Sequence, residues 1–215
     1  MKILLVRHGE TSFNAEKRSQ GHLQIPINHK GKEQAKILAQ YLKDEYSIDR
    51  IISSDLKRAL ETAEIIRKNG FPYISEIINL FGFRERSLGE WEGIPYSELI
   101  KNFPAKQLGN ISEKTPKGGE ALSDMSKRVI KTFTSVINEY NDENILIITH
   151  GGTIRQILAY IMSISPSEAI EKIPQDNCAI NEIDYYPLEK KFKITKINLV
   201  LEEIQNDLVS YISLM

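Results

Sequence analysis

Two histidines stand in matching places. His8 follows the apolar run of KILLVRHGET, and His150 follows that of NILIITHGG; each directly precedes a glycine. The other two histidines, His22 and His29, lie in the polar 19–30 segment. Imidazole can attack phosphorus and carry the phosphoryl group covalently. The glycines let backbone N–H groups close on a ligand with no Cβ in the way. Gly151-Gly152 lead into a predicted helix, whose N-terminus favours an anion. Arg7 adjoins His8, and Arg58 falls in the first turn of the helix predicted from SSDLKRALETA. A cation there opposes the helix dipole, which makes sense if it reaches back to an anion; a solvated arginine is the plain alternative. Guanidinium groups match the planar, bidentate geometry of phosphate oxygens. Two histidines and two arginines facing one point would make a cationic pocket about the size of a phosphoryl group. Glu85, between Arg84 and Arg86 in FRERSLGEWEG, is a candidate general acid or else part of a charged loop. Asn14 could cap a short helix or touch a ligand, and Gln20-Gly21 opens a loop that could line the cleft. There is no P-loop lysine motif and no carboxylate cluster for magnesium, so the expected chemistry uses protein charges alone, with no metal and no cofactor.

These residues need elements to place them. Residues 2–6, 49–52 and 145–149 read as short buried strands, and 73–78 as strand-like. Helical spacing runs through 30–45 with Asn28 as cap, through 55–68 with Ser54 or Asp55 as cap, and through 120–140 and 152–163. Residues 178–185 and 192–198 read as a closing strand pair. The alternation predicts an α/β fold, a three-layer α/β/α sandwich around a mostly parallel sheet. Such sheets bind ligands beyond the carboxyl ends of their strands, where both His-Gly pairs fall. Successive strand side chains point to opposite faces, so Arg7 and His8 share a site only if the chain is already turning there. The Gly- and Pro-rich span 88–119 reads as a lid or a surface excursion; in it Trp91, Tyr96 and Phe103 are taken as packing rather than pocket residues. The tail, 199–215, is amphipathic if helical and is expected to pack on the body.

With 215 residues, 41% of them apolar, the chain is expected to be one domain, 1–215, with a full core. Its 28 basic and 29 acidic side chains leave a net charge of −1, which argues against nucleic acid or an anionic membrane as partner. The single cysteine, Cys178, excludes an intramolecular disulfide framework. No signal-peptide pattern and no spanning apolar stretch is seen, so the expected setting is cytoplasmic, as a monomer or homodimer.

Six blocks in order, VRHGETSFN, QGHLQIPINHKGKEQA, SSDLKRALETA, FRERSLGEWEG, PKGGEALSDMSKRV and THGG, resemble the histidine phosphatase, or phosphoglycerate mutase-like, superfamily. The resemblance implies His8 as the nucleophile that becomes phosphorylated. It implies Arg7, Arg58 and His150 as holders of the phosphoryl oxygens, and Glu85 as the acid that protonates the leaving oxygen and later activates water. Asn14 and the backbone near Gly151 would add phosphate contacts; Gln20, Gly21 and Arg86 would lie near the rest of a small phosphorylated substrate. One departure is Gln24, where the family usually carries an acidic residue. GEWEG resembles the phosphatase-type members, and the 65 positions from Glu85 to His150 leave little room for the insertion that mutases use to exclude water. The expectation is a metal-independent phosphomonoesterase. Primed phosphoglycerate mutase is the alternative within the family, and a non-catalytic phospho-ligand sensor the alternative outside it.

Overall fold

The computed structural model describes residues 1–102 and 114–201. Its strands are β1 (Lys2–Arg7), β2 (Arg50–Ser53), β3 (Ile78–Asn79), β4 (Ile145–Thr149), β5 (Ile180–Tyr186) and β6 (Lys191–Leu199). The helices are α1 (Ser12–Ala15), α2 (His29–Glu45), α3 (Lys57–Gly70), α4 (Tyr96–Asn102), α5 (Leu122–Glu139), α6 (Gly151–Met162) and α7 (Pro166–Lys172). One sheet runs in the order β3-β2-β4-β1-β5-β6. The pairs β3-β2, β2-β4 and β4-β1 are parallel, while β1-β5 and β5-β6 are antiparallel. The α/β fold with a mostly parallel sheet is thus the one expected.

The apolar runs are continuous because both faces of the sheet are covered. Ile3, Leu5, Ile145 and Ile147 point to one side, into Met125, Val129 and Phe133 of α5 and Ile154, Ile157 and Leu158 of α6. Leu4, Val6, Leu146 and Ile148 point to the other, into Leu38 and Leu42 of α2 and Ala59, Ala63 and Ile66 of α3. This alternation by one residue is what a strand of period two gives. Two predicted features differ. Of the strand-like 73–78 only Ile78 enters the sheet, with Asn79. Of the span 88–119, the described part forms a 3-10 turn at Gly89–Trp91 and helix α4; Phe103 and residues 202–215 of the tail lie outside the described residues.

Register does the first step of site assembly. Val6 pairs with Ile148 and Arg7 with Thr149, so His8 and His150 emerge side by side from neighbouring parallel strands. Ser53 pairs with Ile148 from the other side, bringing Ser54 to the same edge. The turn after His8 is clamped hard. Gly9 N–H donates to the Thr62 hydroxyl of α3 at 3.0 Å, and Asn28 N–H to the Glu10 carbonyl at 2.8 Å. The first turn of α2 packs backbone on backbone against it: a Cβ on Gly31 would lie 2.3 Å from the Glu10 oxygen. Asn28 caps α2 as expected, its side chain accepting from Gly31 N–H at 2.8 Å.

Gly31→Ala should therefore destabilise the chain by roughly 1–3 kcal/mol in urea unfolding, despite alanine's better helix propensity, because no side-chain atom is available to give way. An unchanged or raised midpoint would show that the α2 contact does not hold this turn.

Candidate active site

A cavity of about 420 Å³ opens at the carboxyl edge of the parallel strands. Its lining includes Arg7, His8, Asn14, Gln20, Gly21, Arg58, Glu85 and Arg86 from the expected set. Gly152 lines it too, while His150 and Gly151 lie behind the lining. Arg7 ends β1 and His8 is already off the strand, which lets both reach one site.

His8 is 3% exposed, and its Nδ1 lies 2.8 Å from the Gly9 carbonyl oxygen. A carbonyl only accepts, so Nδ1 carries the hydrogen. Burial, and then the charges of Arg58 and Arg7, hold the imidazole well below its ordinary pKa of 6.5. The neutral ring therefore keeps its Nε2 lone pair free. His150 is oriented the other way. Arg58 Nε donates to its Nδ1 at 3.2 Å, so its Nε2 carries the hydrogen and donates to Ser54 Oγ at 2.8 Å. It too is buried and held well below 6.5, by burial first and Arg58 next. The two rings are 5.2 Å apart.

Arg58 is 1% exposed. Its other nitrogens donate to the Leu23 carbonyl at 2.9 Å and the Gly21 carbonyl at 2.8 Å. Gly21 adopts φ +49°, and a Cβ on it would run into the Glu92 carboxylate. That carboxylate in turn accepts from His22 N–H and Leu88 N–H, tying the 20–24 loop to the 88–92 segment. Burial lowers the Arg58 pKa to about 10, although Glu85 opposes the shift. Arg7 Nη1 donates to the Gln175 carbonyl at 2.5 Å, while its buried Nε has no partner among the described residues. Among the described residues, neither guanidinium has a carboxylate within 4 Å.

The helix cap predicted at Ser54 or Asp55 is not made. The capping position of α3 is Leu56, with no side-chain cap. Ser54 serves His150, and Asp55 takes a bidentate ion pair from Arg84 at 2.6 and 2.7 Å. The orphan N–H of Lys57 is met instead by Gln24 Oε1 at 2.9 Å. Gln24 thus acts as a cap delivered from another loop.

Glu85 hangs from backbone at both oxygens. Oε2 accepts from Gly152 N–H at 2.9 Å and Oε1 from Arg86 N–H at 3.0 Å. A Cβ on Gly152 would lie 2.2 Å from Oε1, so the second glycine of THGG makes room for the acid. The loop carrying Glu85 is pinned by Arg128, whose Nη1 donates to the Gly82 and Arg84 carbonyls, and by the hydroxyls of Thr149 and Thr153. Asn14 Oδ1 accepts from Thr11 N–H at 3.2 Å and Gln20 Oε1 from the Thr11 hydroxyl at 3.0 Å, and both residues line the cavity.

The sequence reading missed two features. Arg155, on α6, also lines the cavity, and the signal for it was its spacing of four from Gly151, which puts both on one helix face. The 175–178 turn grips the end of β1: Asn177 Nδ2 donates to the His8 carbonyl at 2.9 Å and Cys178 N–H to the Arg7 carbonyl at 3.1 Å. Nothing local in the sequence announces that contact. Trp91 and Tyr96, expected to pack, also line the cavity, with Leu88, Leu99 and Met125 completing much of its apolar wall.

Residues 3–199 match the model of the histidine phosphatase superfamily (branch 1). The chain belongs to that superfamily. It is 38% identical over 176 residues to phosphoglycerate mutase-like protein 4 of Arabidopsis thaliana, covering 80% of this chain and 75% of that protein. It is 32% identical over 197 residues to the phosphatase PhoE of Bacillus subtilis, covering 92% and 94%. The crystal structure of a phosphoserine phosphatase mutant of Entamoeba histolytica with phosphoserine bound superposes with a TM-score of 0.80 at 25% identity, over 93% of this chain and 97% of that one. The chain is accordingly an enzyme of the phosphatase type. Among the described residues no helix is long and apolar enough to cross a membrane.

Gly152→Ala should separate stability from activity. A helical alanine favours folding by up to about 1 kcal/mol, but the methyl displaces the Glu85 carboxylate. The expected result is an unchanged or raised thermal midpoint with at least a tenfold drop in kcat, a part of the roughly 10²–10⁴-fold that general acid–base catalysis contributes. Full activity in the alanine variant would mean that Glu85 is not needed where it stands.

Proposed function

We propose that this chain is a metal-independent phosphomonoester hydrolase that works through a phosphohistidine on His8 and acts on a small phosphorylated metabolite. The observation that carries the reading is the pairing of a neutral His8, its Nε2 free, with buried guanidiniums that have no carboxylate partner among the described residues. A dianionic phosphoryl group supplies the missing countercharge. The buried Arg7 Nε, without a partner among the described residues, and the amide of Asn14 in the cavity lining are donors for its oxygens.

In the first step His8 Nε2 attacks phosphorus, the bond from phosphorus to the ester oxygen breaks, and that oxygen takes a proton from Glu85. The Gly9 carbonyl, which accepts from Nδ1–H, steadies the charge that develops on the ring. In the second step water attacks phosphorus, gives a proton to Glu85, and the nitrogen–phosphorus bond breaks. Arginine charge does the work that magnesium does in other phosphoryl-transfer enzymes. His150 acts in this reading through Arg58, whose Nε it accepts. A direct phosphoryl contact, as the resemblance implies, requires it to exchange its Ser54 hydrogen bond for one to a phosphoryl oxygen. The relatives named phosphatase and phosphoserine phosphatase support hydrolysis.

Release of phosphate from para-nitrophenyl phosphate should persist in EDTA, and an acid-labile, base-stable phosphate should be trapped on the protein after a quench. His8→Ala should lose both label and turnover. Near-wild-type hydrolysis by that variant would remove His8 as nucleophile, and primer-dependent conversion of 3-phosphoglycerate to 2-phosphoglycerate would make the enzyme a mutase. Glu85→Gln should slow alkyl phosphates more than para-nitrophenyl phosphate, whose leaving group departs without a proton. Equal slowing on both would mean that Glu85 is not the acid.

A further inference from the structure

His22 has no part in the two-step reaction above, yet its ring reaches the residue that carries the proton. Its Nε2 lies 2.8 Å from the Glu85 carbonyl oxygen. A carbonyl only accepts, so Nε2 carries the hydrogen and donates it. The described residues that line the cavity include its neighbours Gln20 and Gly21 but not His22. The ring thus acts on the backbone of Glu85 rather than on a substrate.

The backbone it holds is a particular piece. The Glu85 carbonyl and the Arg86 N–H are the two sides of one peptide group, which is planar and stiff. That same Arg86 N–H donates to Glu85 Oε1 at 3.0 Å. His22 therefore grips one side of a plate from whose other side the carboxylate hangs. Arg128 Nη2 also reaches this carbonyl, from α5, at a longer 3.3 Å. The arm behind the ring is itself fixed. Arg58 takes the carbonyls on either side of it, Gly21 and Leu23, and Glu92 takes its N–H at 2.9 Å. Phe81 stands edge-on to the ring, at 88° with centroids 6.1 Å apart. A line of hydrogen bonds so runs from Arg58 through His22 to the peptide that sets Glu85. We propose that His22 is a positioning residue: through the 85–86 peptide it fixes the Glu85 carboxylate relative to Arg58, and so fixes where the leaving oxygen receives its proton. The proposal rests on the reading of Glu85 as general acid. A catalytic group misplaced by about 1 Å can lose roughly 10²-fold in rate, which makes such a hold consequential.

Kinetics on two aryl phosphates test it, because kcat/KM reports the step in which the ester bond breaks. Phenyl phosphate releases a poor leaving group that needs the proton, and para-nitrophenyl phosphate one that does not. His22→Phe keeps a ring against Phe81 and removes the donor. It should lower kcat/KM for phenyl phosphate about tenfold or more, part of the roughly 10²–10⁴-fold of general acid catalysis, and that for para-nitrophenyl phosphate by less than about threefold. His22→Gln, whose Nε2 stands as many bonds from Cα as the imidazole Nε2, should bring phenyl phosphate back to within about threefold of wild type. In a Glu85→Gln background His22→Phe should change either substrate by less than about twofold, since the group it places is gone. Equal slowing of the two substrates by His22→Phe, an undiminished loss in the Glu85→Gln background, or no rescue by glutamine would each overturn the proposal. His22→Ala takes the place of the phenylalanine variant if the latter folds poorly. If Glu85→Gln alone slows both substrates equally, the acid reading fails and the proposal with it. If that variant discriminates and His22→Phe does not, only the proposal fails. No turnover of either substrate by the wild type would remove the phosphomonoesterase reading itself, and this proposal with it.

Discussion

Buried guanidinium groups held by neutral acceptors are the constraint around which this structure is arranged. Taking an unpaired ion out of water costs several kcal/mol even after relaxation. Arg58 meets this with two backbone carbonyls and an imidazole nitrogen, and Arg7 with one carbonyl. A carboxylate partner would stabilise each more simply, but it would also cancel the charge that an anionic substrate needs. Neutral acceptors satisfy the N–H groups and leave the charge intact. The carbonyls come from irregular chain, at Gly21, Leu23 and Gln175, because helices and strands have already spent theirs. Those loops must then be held in place by other means, and the tie from Gly21 and His22 to Glu92 is one of them.

The same logic sets the protonation states of the two histidines. Arg58 can only donate, so it fixes His150 with Nδ1 bare and Nε2 protonated. The Gly9 carbonyl can only accept, so it fixes His8 the opposite way. Burial and nearby cations hold both rings well below the ordinary imidazole pKa, so the proposed nucleophile does not compete with a proton near neutral pH. Parallel register brings the rings together, and the hydrogen bonds then give them different tasks.

Much of this was legible in the sequence where local pattern and tertiary placement coincide. The run ILIIT is β4 to the residue, and Asn28 caps α2, since burial on both faces and a local capping bond leave strong signatures. His8, Arg58 and Glu85 could be picked out because each breaks a local rule: a polar residue ends an apolar strand, a cation opens a helix, a carboxylate sits between arginines. Ser54 and Asp55 were misread for the converse reason. They look like caps, but His150 and Arg84 compete for their side chains and win. Arg155 breaks no rule, since an arginine on a helix is ordinarily solvated. The grip of Asn177 on the His8 carbonyl joins residues 169 positions apart, a distance over which periodicity and capping say nothing.

The glycines after His150 show how Glu85 comes to be linked to His150. Gly152 yields its side-chain volume to the Glu85 carboxylate and gives its N–H to the same group. The strand that delivers His150 therefore also anchors Glu85, the proposed general acid, through the first turn of the helix that follows it. Thr149 and Thr153 extend the link by holding the Phe83 and Arg84 carbonyls on the approach to Glu85. A shift of β4 along the sheet would move His150, and with it Arg58, in step with Glu85. The geometry between the proposed phosphoryl pocket and the proposed acid is thus carried by one short piece of backbone, residues 149 to 153. That is why Gly152, with no side chain of its own, matters to the placing of the proposed acid as much as His150, two positions before it, matters to the placing of Arg58.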